Sequence, residues 1–200
     1  TRTRHLMDSA AVYMTDVPRE EQERRGKIRT FTGKLVDPLN LAPDDISIID
    51  IGHHLSNLCR YTGAVPMFYS VAQHSVIVSR CFVDPMMKLA GLLHDAAEAY
   101  INDVASPVKH SAGFQFYREL DDRITATIFG KFGLDPAVLK EVKPFDDSVF
   151  KREVASFWNF GRNLAAGERV LAMPPISART MFALEYQRIS RKLLRPTEAP

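Results

Sequence analysis

The chain has 200 residues with 46% hydrophobic and 25% charged side chains, the composition of an ordinary globular domain, and at about 150 residues per domain a single core is predicted. Its 26 Lys and Arg against 24 Asp and Glu leave a net charge of +2, which argues against a nucleic-acid polymer or an acidic membrane as a partner. No apolar run approaches the roughly 18 residues of a membrane span, and two cysteines, Cys59 and Cys81, do not make a disulfide framework, so a cytoplasmic location is expected.

The N-terminal part of the sequence predicts an arm followed by a small hairpin. Residues 1–29 form the predicted arm, because they end in a dense mixture of both charge signs that has little to bury. Residues 30–200 are then the single domain. The stretch 30–44 contains one Gly and two Pro, which favour turns and short extended pieces over a helix. A β-hairpin that pairs residues 31–36 with residues 46–51 is the expectation here.

Helical spacing dominates the rest of the sequence. Residues 51–60 predict a short helix, and residues 65–83 predict a second one because their apolar side chains repeat every three or four positions. Asp84 and Pro85 are the usual cap and first-turn residues of a third helix, which is expected to continue through residue 97.

Three further helices are predicted in the C-terminal half. The first covers residues 114–132 and the last covers residues 177–194. Between them a helix starts at Pro136 and continues to residue 159, with an interruption or kink at Pro144, since proline lacks an amide hydrogen and clashes with the preceding turn. The chain is therefore predicted to be all-α, a compact bundle of about six or seven helices.

Potential metal ligands are spread over three of the predicted helices. His94 and Asp95 lie in the apolar sequence LAGLLHDAAEAY, where burying them is costly unless their charge is compensated. A divalent cation would compensate both, because imidazole nitrogen and carboxylate oxygen are standard ligands. His74 and Asp146 could join them from other helices, leaving coordination positions open for water and an oxyanion substrate. Glu98 shares their face and could orient that water or carry its proton.

The order and surroundings of these residues carry a family resemblance. A histidine, a His-Asp pair and a later aspartate, all on helices, resemble the HD superfamily of metal-dependent phosphohydrolases. HDAAEAYINDVASPVK, which starts at His94, resembles the HD-x-x-E…GD…P-x-K stretch of bacterial 5′-deoxynucleotidases, and RYTGAVPMFYSVAQHS resembles their Arg-aromatic…S-V-A-E-H-S segment. The likeness covers about half of the chain, from Ile51 to Glu153, and extends to phage deoxynucleotide triphosphohydrolases.

This resemblance implies an HD-type helical domain that holds one divalent metal ion, which could be Mn, Co, Fe, Ni, Zn or Mg. It also implies a role for each matching side chain. The implied metal ligands are His74, His94, Asp95 and Asp146; the implied catalytic carboxylates are Glu98 and Asp103; and the implied substrate contacts are Arg60, Tyr61 and Lys109.

The sequence departs from the family's pattern at several positions. Gln73 stands in place of an acidic residue, Tyr61 in place of Trp, and Asn102 in place of Gly. The aromatic change affects a substrate contact, so base and sugar preference do not transfer. Asp147, next to Asp146, leaves the fourth ligand open, although the alignment of KPFD with the family's V-K-x-A-D favours Asp146.

Several of these residues also have an ordinary structural explanation. Asp103 lies in a sequence that suits a turn leading into a helix cap. Arg60 could interact favourably with the helix dipole at the C-terminal end of its helix, and Lys109 could be a solvated lysine in the first turn of a helix. His53 and His54 point about 100° apart on a helix and cannot easily share one metal, so a structural role is expected, although one of them could line the pocket.

The sequence thus predicts a nucleotidase-like phosphohydrolase for a small nucleotide, with a deoxynucleoside 5′-monophosphate as the leading substrate. One alternative is a deoxynucleoside triphosphate triphosphohydrolase, which would need further basic residues around the phosphate tail. The other is a non-catalytic metal- or nucleotide-binding module, against which Glu98 and Asp103 argue. A homodimer is also open, because the amphipathic last helix could pack on a second subunit. The candidates for the basic residues are Lys109, Lys143, Lys151 and Arg152.

Overall fold

The computed structural model describes residues 26–159 and 164–194, so most of the predicted arm lies outside the described residues. The described part begins with a two-stranded antiparallel sheet, β1 (Ile28–Arg29) and β2 (Leu35–Val36), in which Ile28 pairs with Val36. The last residues assigned to the arm therefore belong to the hairpin.

The predicted hairpin partner is wrong. The chain reverses at Gly33, which has a φ of 92°, and the amide of Thr30 donates to the carbonyl of Lys34 at 2.9 Å. Residues 46–51 instead lead into a helix, because the side chain of Ser47 accepts a hydrogen bond from the amide of Ile49 and caps that helix.

The remainder is a helical bundle, which confirms the predicted all-α class. Among the described residues, six helices have nine residues or more and two have four. In chain order they are α1 (Ile48–Asn57), α2 (Val71–Arg80), α3 (Pro85–Leu93), α4 (Glu98–Ile101), α5 (Ser106–Lys109), α6 (Gln115–Lys131), α7 (Leu139–Phe157) and α8 (Pro175–Leu193). None of the described helices is both long and apolar enough to cross a bilayer.

Helix α2 starts later than its apolar spacing predicts. Residues 65–70 are not helical; they return beside the end of α1, where the amide of Arg60 donates to Tyr69 at 2.8 Å and that of Val71 to Leu58 at 3.0 Å. Ser70 then caps α2 by accepting from the amide of Gln73. The backbone pairing between separate segments outweighs the local helical pattern.

Helix α3 begins as predicted and ends earlier. Asp84 caps it, with Pro85 in its first turn, but regular α-helix stops at Leu93. The next turn closes through tighter bonds, from the amide of Ala96 to Leu93 and from that of Glu98 to Asp95. This tighter turn carries the His-Asp pair.

The C-terminal helices follow the prediction closely. Helix α7 runs across Pro144 without the predicted interruption. In α8, four of the five residues predicted to share one face are buried, namely Ala178, Phe182, Glu185 and Ile189, while Leu193 is 40% exposed. Helix α2 lies in the middle of the bundle, in contact with α1, α3, α7 and α8, and its His74 is fully buried.

Candidate metal centre and adjoining acidic residues

Two imidazoles face each other at the centre of the bundle. The Nε2 atoms of His74 on α2 and His94 after α3 lie 3.2 Å apart. Asp95 Oδ2 lies 3.1 Å from His94 Nε2 and 3.7 Å from His74 Nε2. One ligand atom from each of the three residues lies within 4.8 Å of the others. This cluster could hold a metal ion.

Helix α7 brings a second carboxylate to the histidines. Asp146 Oδ1 lies 3.0 Å from His74 Nε2 and 3.9 Å from His94 Nε2. Asp147 is more than half exposed and pairs with Lys143 at 2.8 Å. Asp146 is therefore the member of the pair that faces the cluster, while its other oxygen also contacts Lys143.

The outer nitrogens of both imidazoles have acceptors as partners. His74 Nδ1 lies 2.7 Å from Glu153 Oε1, and His94 Nδ1 lies 2.9 Å from the carbonyl of Gly91. Each Nδ1 must therefore carry the hydrogen, so in the neutral rings both Nε2 lone pairs point inward, toward each other and toward carboxylate oxygens. Four electron-rich atoms in this arrangement repel one another, and a cation bound between them would relieve that repulsion.

The donor set fits a divalent transition metal. Imidazole nitrogen with carboxylate oxygen suits Mn, Fe, Co, Ni and Zn, whereas Mg prefers oxygen ligands throughout. The fixed Nδ1–H donors hold each ring in the orientation that a bound ion would need. The geometry thus supports a site that could hold one of these transition-metal ions.

The charges in the cluster shift the pKa values of its members. Burial raises the pKa of Asp95, but the His94 charge and hydrogen bond outweigh it and hold that pKa far below its usual range. Burial also raises the pKa of Asp146, but its contacts with His74 and His94 lower that pKa by more. Burial lowers the pKa of His94, and the Asp95 carboxylate raises it further than burial lowers it. Both aspartates are thus anionic ligand candidates at neutral pH.

Glu153 supports this site and was not predicted from the sequence. It is fully buried on α7 and accepts hydrogen bonds from Tyr61 at 2.5 Å, from Tyr69 at 2.6 Å and from His74 at 2.7 Å. Burial opposes ionisation, but His74 and these partners lower the pKa of Glu153 to about 2. Its position seven residues after Asp146, two turns along one helix face, is the sequence signal that could have found it.

Arg60 is held beside the cluster by a strained loop. Its Nη1 lies 3.5 Å from Asp95 Oδ2 and its Nε 3.4 Å from Glu153 Oε2, close enough for ion pairing. The next two residues, Tyr61 and Thr62, have φ values of 59° and 54°. Residues other than glycine rarely adopt this left-handed backbone conformation unless the surrounding structure enforces it.

Packing around Tyr61 enforces that loop. The ring lies 5.1 Å from Trp158 and 6.0 Å from Phe150 between ring centroids, and Arg60 Cζ lies 5.4 Å from the Tyr61 ring. The Tyr61 hydroxyl donates to Glu153, which in turn lies beside Arg60. Tyr61, which is predicted to contact substrate, therefore also helps to hold Arg60 in place. Its substrate contact stays a prediction.

The two predicted catalytic carboxylates lie on the α4 side of the cluster. Glu98 Oε2 is buried and has no hydrogen-bond partner among the described residues. Burial, reinforced by the charges of Asp95 and Asp103, raises the pKa of Glu98 well above its usual value. Burial also raises the pKa of Asp103, which Arg60 partly offsets. Asp103 follows Asn102, whose φ is 74°.

Lys109, the third predicted substrate contact, is already partnered within the protein. Its ammonium pairs with Asp121 and lies 5.7 Å from the centre of the Tyr117 ring. Burial lowers the pKa of Lys109, but Asp121 raises it by more. The structure thus gives Lys109 a structural partner, and its contact with phosphate stays a prediction.

Two curated proteins are similar to the chain over most of its length. It is 35% identical over 172 residues to "Uncharacterized protein YfdR" of Escherichia coli K12, an alignment that covers 82% of this chain and 95% of that protein. It is 34% identical over 194 residues to "Uncharacterized protein RCAP_rcc00048" of Rhodobacter capsulatus, covering 85% of this chain and 98% of that protein. No protein-family model matches the chain.

Proposed function

We propose that this chain, which belongs to the same protein family as YfdR, is an HD-type metal-dependent phosphohydrolase that acts on a small nucleotide. The observation that carries the proposal is the inward-facing pair of His74 and His94 Nε2 atoms, with Asp95 and Asp146 beside them. Water-activating metal sites are built from this kind of incomplete His and carboxylate set.

His74, His94, Asp95 and Asp146 are the residues that would hold the ion. A divalent ion bound there would make a water more acidic and polarise an oxygen of the phosphate. The remaining steps belong to side chains of this chain. Arg60, which is oriented by Asp95 and Glu153, would bind the phosphate and offset the charge that develops on it.

Glu98 is the best placed residue to carry a proton. Its buried Oε2 is free of other partners among the described residues, and burial raises its pKa, which makes the carboxylate a stronger base. Glu98 would take a proton from the attacking water as the new P–O bond forms. The bond from phosphorus to the 5′-oxygen breaks, and the proton ends on that oxygen, giving a nucleoside and inorganic phosphate. Asp103 would help to orient the water.

The deoxynucleoside 5′-monophosphate remains the preferred substrate over a triphosphate. A triphosphate tail would need unpaired basic side chains near the cluster. Two of the four candidates, Lys109 and Lys143, are already paired with carboxylates, and Arg152 donates to the carbonyl of Glu168. Three of the four candidates are thus committed to internal contacts, which favours a substrate with one phosphate.

The test is phosphate release from ribo- and deoxynucleoside mono-, di- and triphosphates. The protein is stripped with chelator and reloaded with each divalent metal in turn. We expect metal-dependent release from deoxynucleoside monophosphates, and at least about a 100-fold loss in Asp95→Ala and Asp146→Ala. Asp147→Ala is the matched control, since its carboxylate faces Lys143, and should retain activity.

The opposite result is equally clear. If metal binds to the wild-type protein but no nucleotide is hydrolysed with any ion, the phosphohydrolase proposal fails. A non-catalytic metal- or nucleotide-binding module then becomes the better account.

A further inference from the structure

An open cleft of about 800 Å³ adjoins the acidic residues of the proposed active site. Glu98 and Asn102 line it on the α4 side, His53, His54 and Asn57 line it on α1, and Phe31 lines it on the hairpin. Its volume is far larger than one phosphate needs and falls within the roughly 300–1,000 Å³ of small-molecule sites. The cleft therefore has room for the rest of a substrate.

The hairpin wall of this cleft is firmly anchored. Asp50 is buried and accepts two hydrogen bonds from Thr32, at 2.7 Å from its amide and 2.9 Å from its hydroxyl. The amide of Phe31 donates to His54 Nε2 at 3.0 Å, and His54 Nδ1 donates to the carbonyl of Ala99 at 2.7 Å. His54 thus links the hairpin through α1 to α4. A carboxylate is stable in a buried position only with such partners. The hydrogen bonds to Asp50 therefore hold the hairpin in a defined position.

An aromatic pair stands at this wall. The rings of Phe31 and His53 stack with centroids 3.8 Å apart and an interplanar angle of 15°. Phe31 is nevertheless half exposed, although an apolar ring gains stability from burial. Arg179 on α8 supports the pair, with Nη1 3.2 Å from His53 Nδ1 and Cζ 5.5 Å from the Phe31 ring. A supported ring that stays partly exposed in a cleft is suited to contact a flat ligand.

Glu98 connects this cleft to the metal cluster. It is one of the residues that line the cleft, and its unpartnered buried Oε2 is influenced by the nearby charges of Asp95 and Asp103. A ligand whose phosphate lies beside Arg60 and the cluster would pass Glu98 to extend into the cleft. There Asn57 Nδ2 donates to the carbonyl of His53 at 2.8 Å, which leaves its Oδ1 as an acceptor for a ligand. Asn102 Oδ1 accepts from the amide of Asp103 at 3.1 Å, which leaves its Nδ2 as a donor.

We propose that this cleft binds the nucleoside part of the substrate, with the base against the Phe31–His53 pair and polar groups of the base or sugar on Asn57 and Asn102. The proposal rests on the proposed function, because a phosphate at the cluster is what orients the nucleoside toward the cleft. The hairpin precedes Ile51, and so lies outside the stretch that resembles known deoxynucleotidases. Base preference would therefore be set by a part of the chain that is separate from the metal ligands.

The experiment compares two substrates that share the phosphate and differ in the base. We expect kcat/KM for the deoxynucleoside 5′-monophosphates to exceed kcat/KM for 2-deoxyribose 5-phosphate. Phe31→Ala should lower that ratio by about tenfold, as expected when base–aromatic contact is lost. Phe116→Ala removes a similarly exposed ring that does not line the cleft and should leave the ratio unchanged. Asn57→Ala gives a second reading that keeps the hydrogen bonds of Phe31 and Thr32 to α1 and removes only the contacts of Asn57 with His53.

Two results would overturn the cleft proposal while phosphohydrolase activity stands. One is equal activity of the wild-type protein on the nucleotides and on 2-deoxyribose 5-phosphate. The other is an unchanged ratio in both Phe31→Ala and Asn57→Ala. If instead the wild-type protein hydrolyses neither substrate, ligand-observed NMR with the four deoxynucleosides decides the matter: binding that Phe31→Ala abolishes supports the cleft, and no binding overturns it.

Discussion

The His-Asp cluster, formed by His74, His94, Asp95 and Asp146, and the hairpin cleft are neighbours that are built in different ways. The cluster lies in the core, where His74 and Glu153 are fully buried and each outer imidazole nitrogen has its own acceptor. The cleft is open, and Phe31 at its wall is half exposed. Its wall is anchored to the buried Asp50.

The difference separates two tasks. Charged groups in the core hold their geometry because moving any of them would leave another charge buried and unpaired. The wall of the cleft is tied to the core by a few hydrogen bonds, so its exposed side chains can change without disturbing the cluster. Chemistry and substrate preference are therefore expected to respond to different substitutions.

Glu98 lies where the two regions meet, and its substitution should have the largest effect. Glu98→Gln keeps the shape and removes the ability to exchange a proton, so kcat should fall by about 100-fold or more. Metal content, measured by elemental analysis, should be unchanged. A fall in metal content equal to the fall in kcat would instead show that Glu98 is a metal ligand and that it belongs to the cluster alone.

Acid should weaken the cluster. The pKa of Glu153 is lowered from 4.5 to about 2 in the folded protein. Its stabilising contribution is therefore complete above pH 4.5 and is lost as the pH falls from 4.5 through 2. The loss is on the order of 3 kcal/mol in unfolding free energy. Urea denaturation of the metal-free protein at pH 7, 5 and 3 should show about 2 kcal/mol of this loss, the part between pH 4.5 and 3, and Glu153→Gln should flatten that dependence.

Glu153 should also matter for metal binding although it does not face the metal site. Glu153→Gln weakens the acceptor for His74 Nδ1, and loss of such an outer partner typically costs 10- to 100-fold in metal affinity. Competition with a chelator gives the affinity. Glu168→Gln, at an exposed acidic position, is the control. An unchanged affinity in Glu153→Gln would show that the His74 ring is oriented by packing alone.

The smallest expected effect is at the hairpin anchor. Thr32→Val removes the hydroxyl bond to Asp50 and keeps the amide bond, so the loss of stability should be about 1 kcal/mol. KM for the nucleotide should rise a few-fold while metal affinity stays the same. Thr127→Val removes an exposed hydroxyl bond within α6 and serves as the control in urea denaturation. A change in metal affinity in Thr32→Val would contradict the independence of the two regions.

Local signals in the sequence were reliable where one segment decides its own structure. Asp84 and Pro85 start α3 as predicted, and the amphipathic pattern of α8 buries four of its five expected residues. The late start of α2 and the early end of α3 were missed. Both depend on backbone bonds at the junctions of elements, which side-chain periodicity does not report.

The candidate site divides in the same way. The residue types and spacing of His74, His94 and Asp95 point to a metal cluster, and the structure brings these three together. Glu153 was not predicted as part of the site because a single glutamate on an amphipathic helix is usually solvated. Its hydrogen bonds come from residues 79 to 92 positions away in the chain.

The sequence by itself determined the all-α class, most helices and the set of candidate metal ligands, because these follow from local periodicity, capping and residue chemistry. Only the tertiary structure decided which hairpin forms, which aspartate faces the histidines and which glutamate orients His74. Those outcomes depend on distant segments meeting in the core, where a buried charge is stable only beside a partner that the linear sequence does not identify.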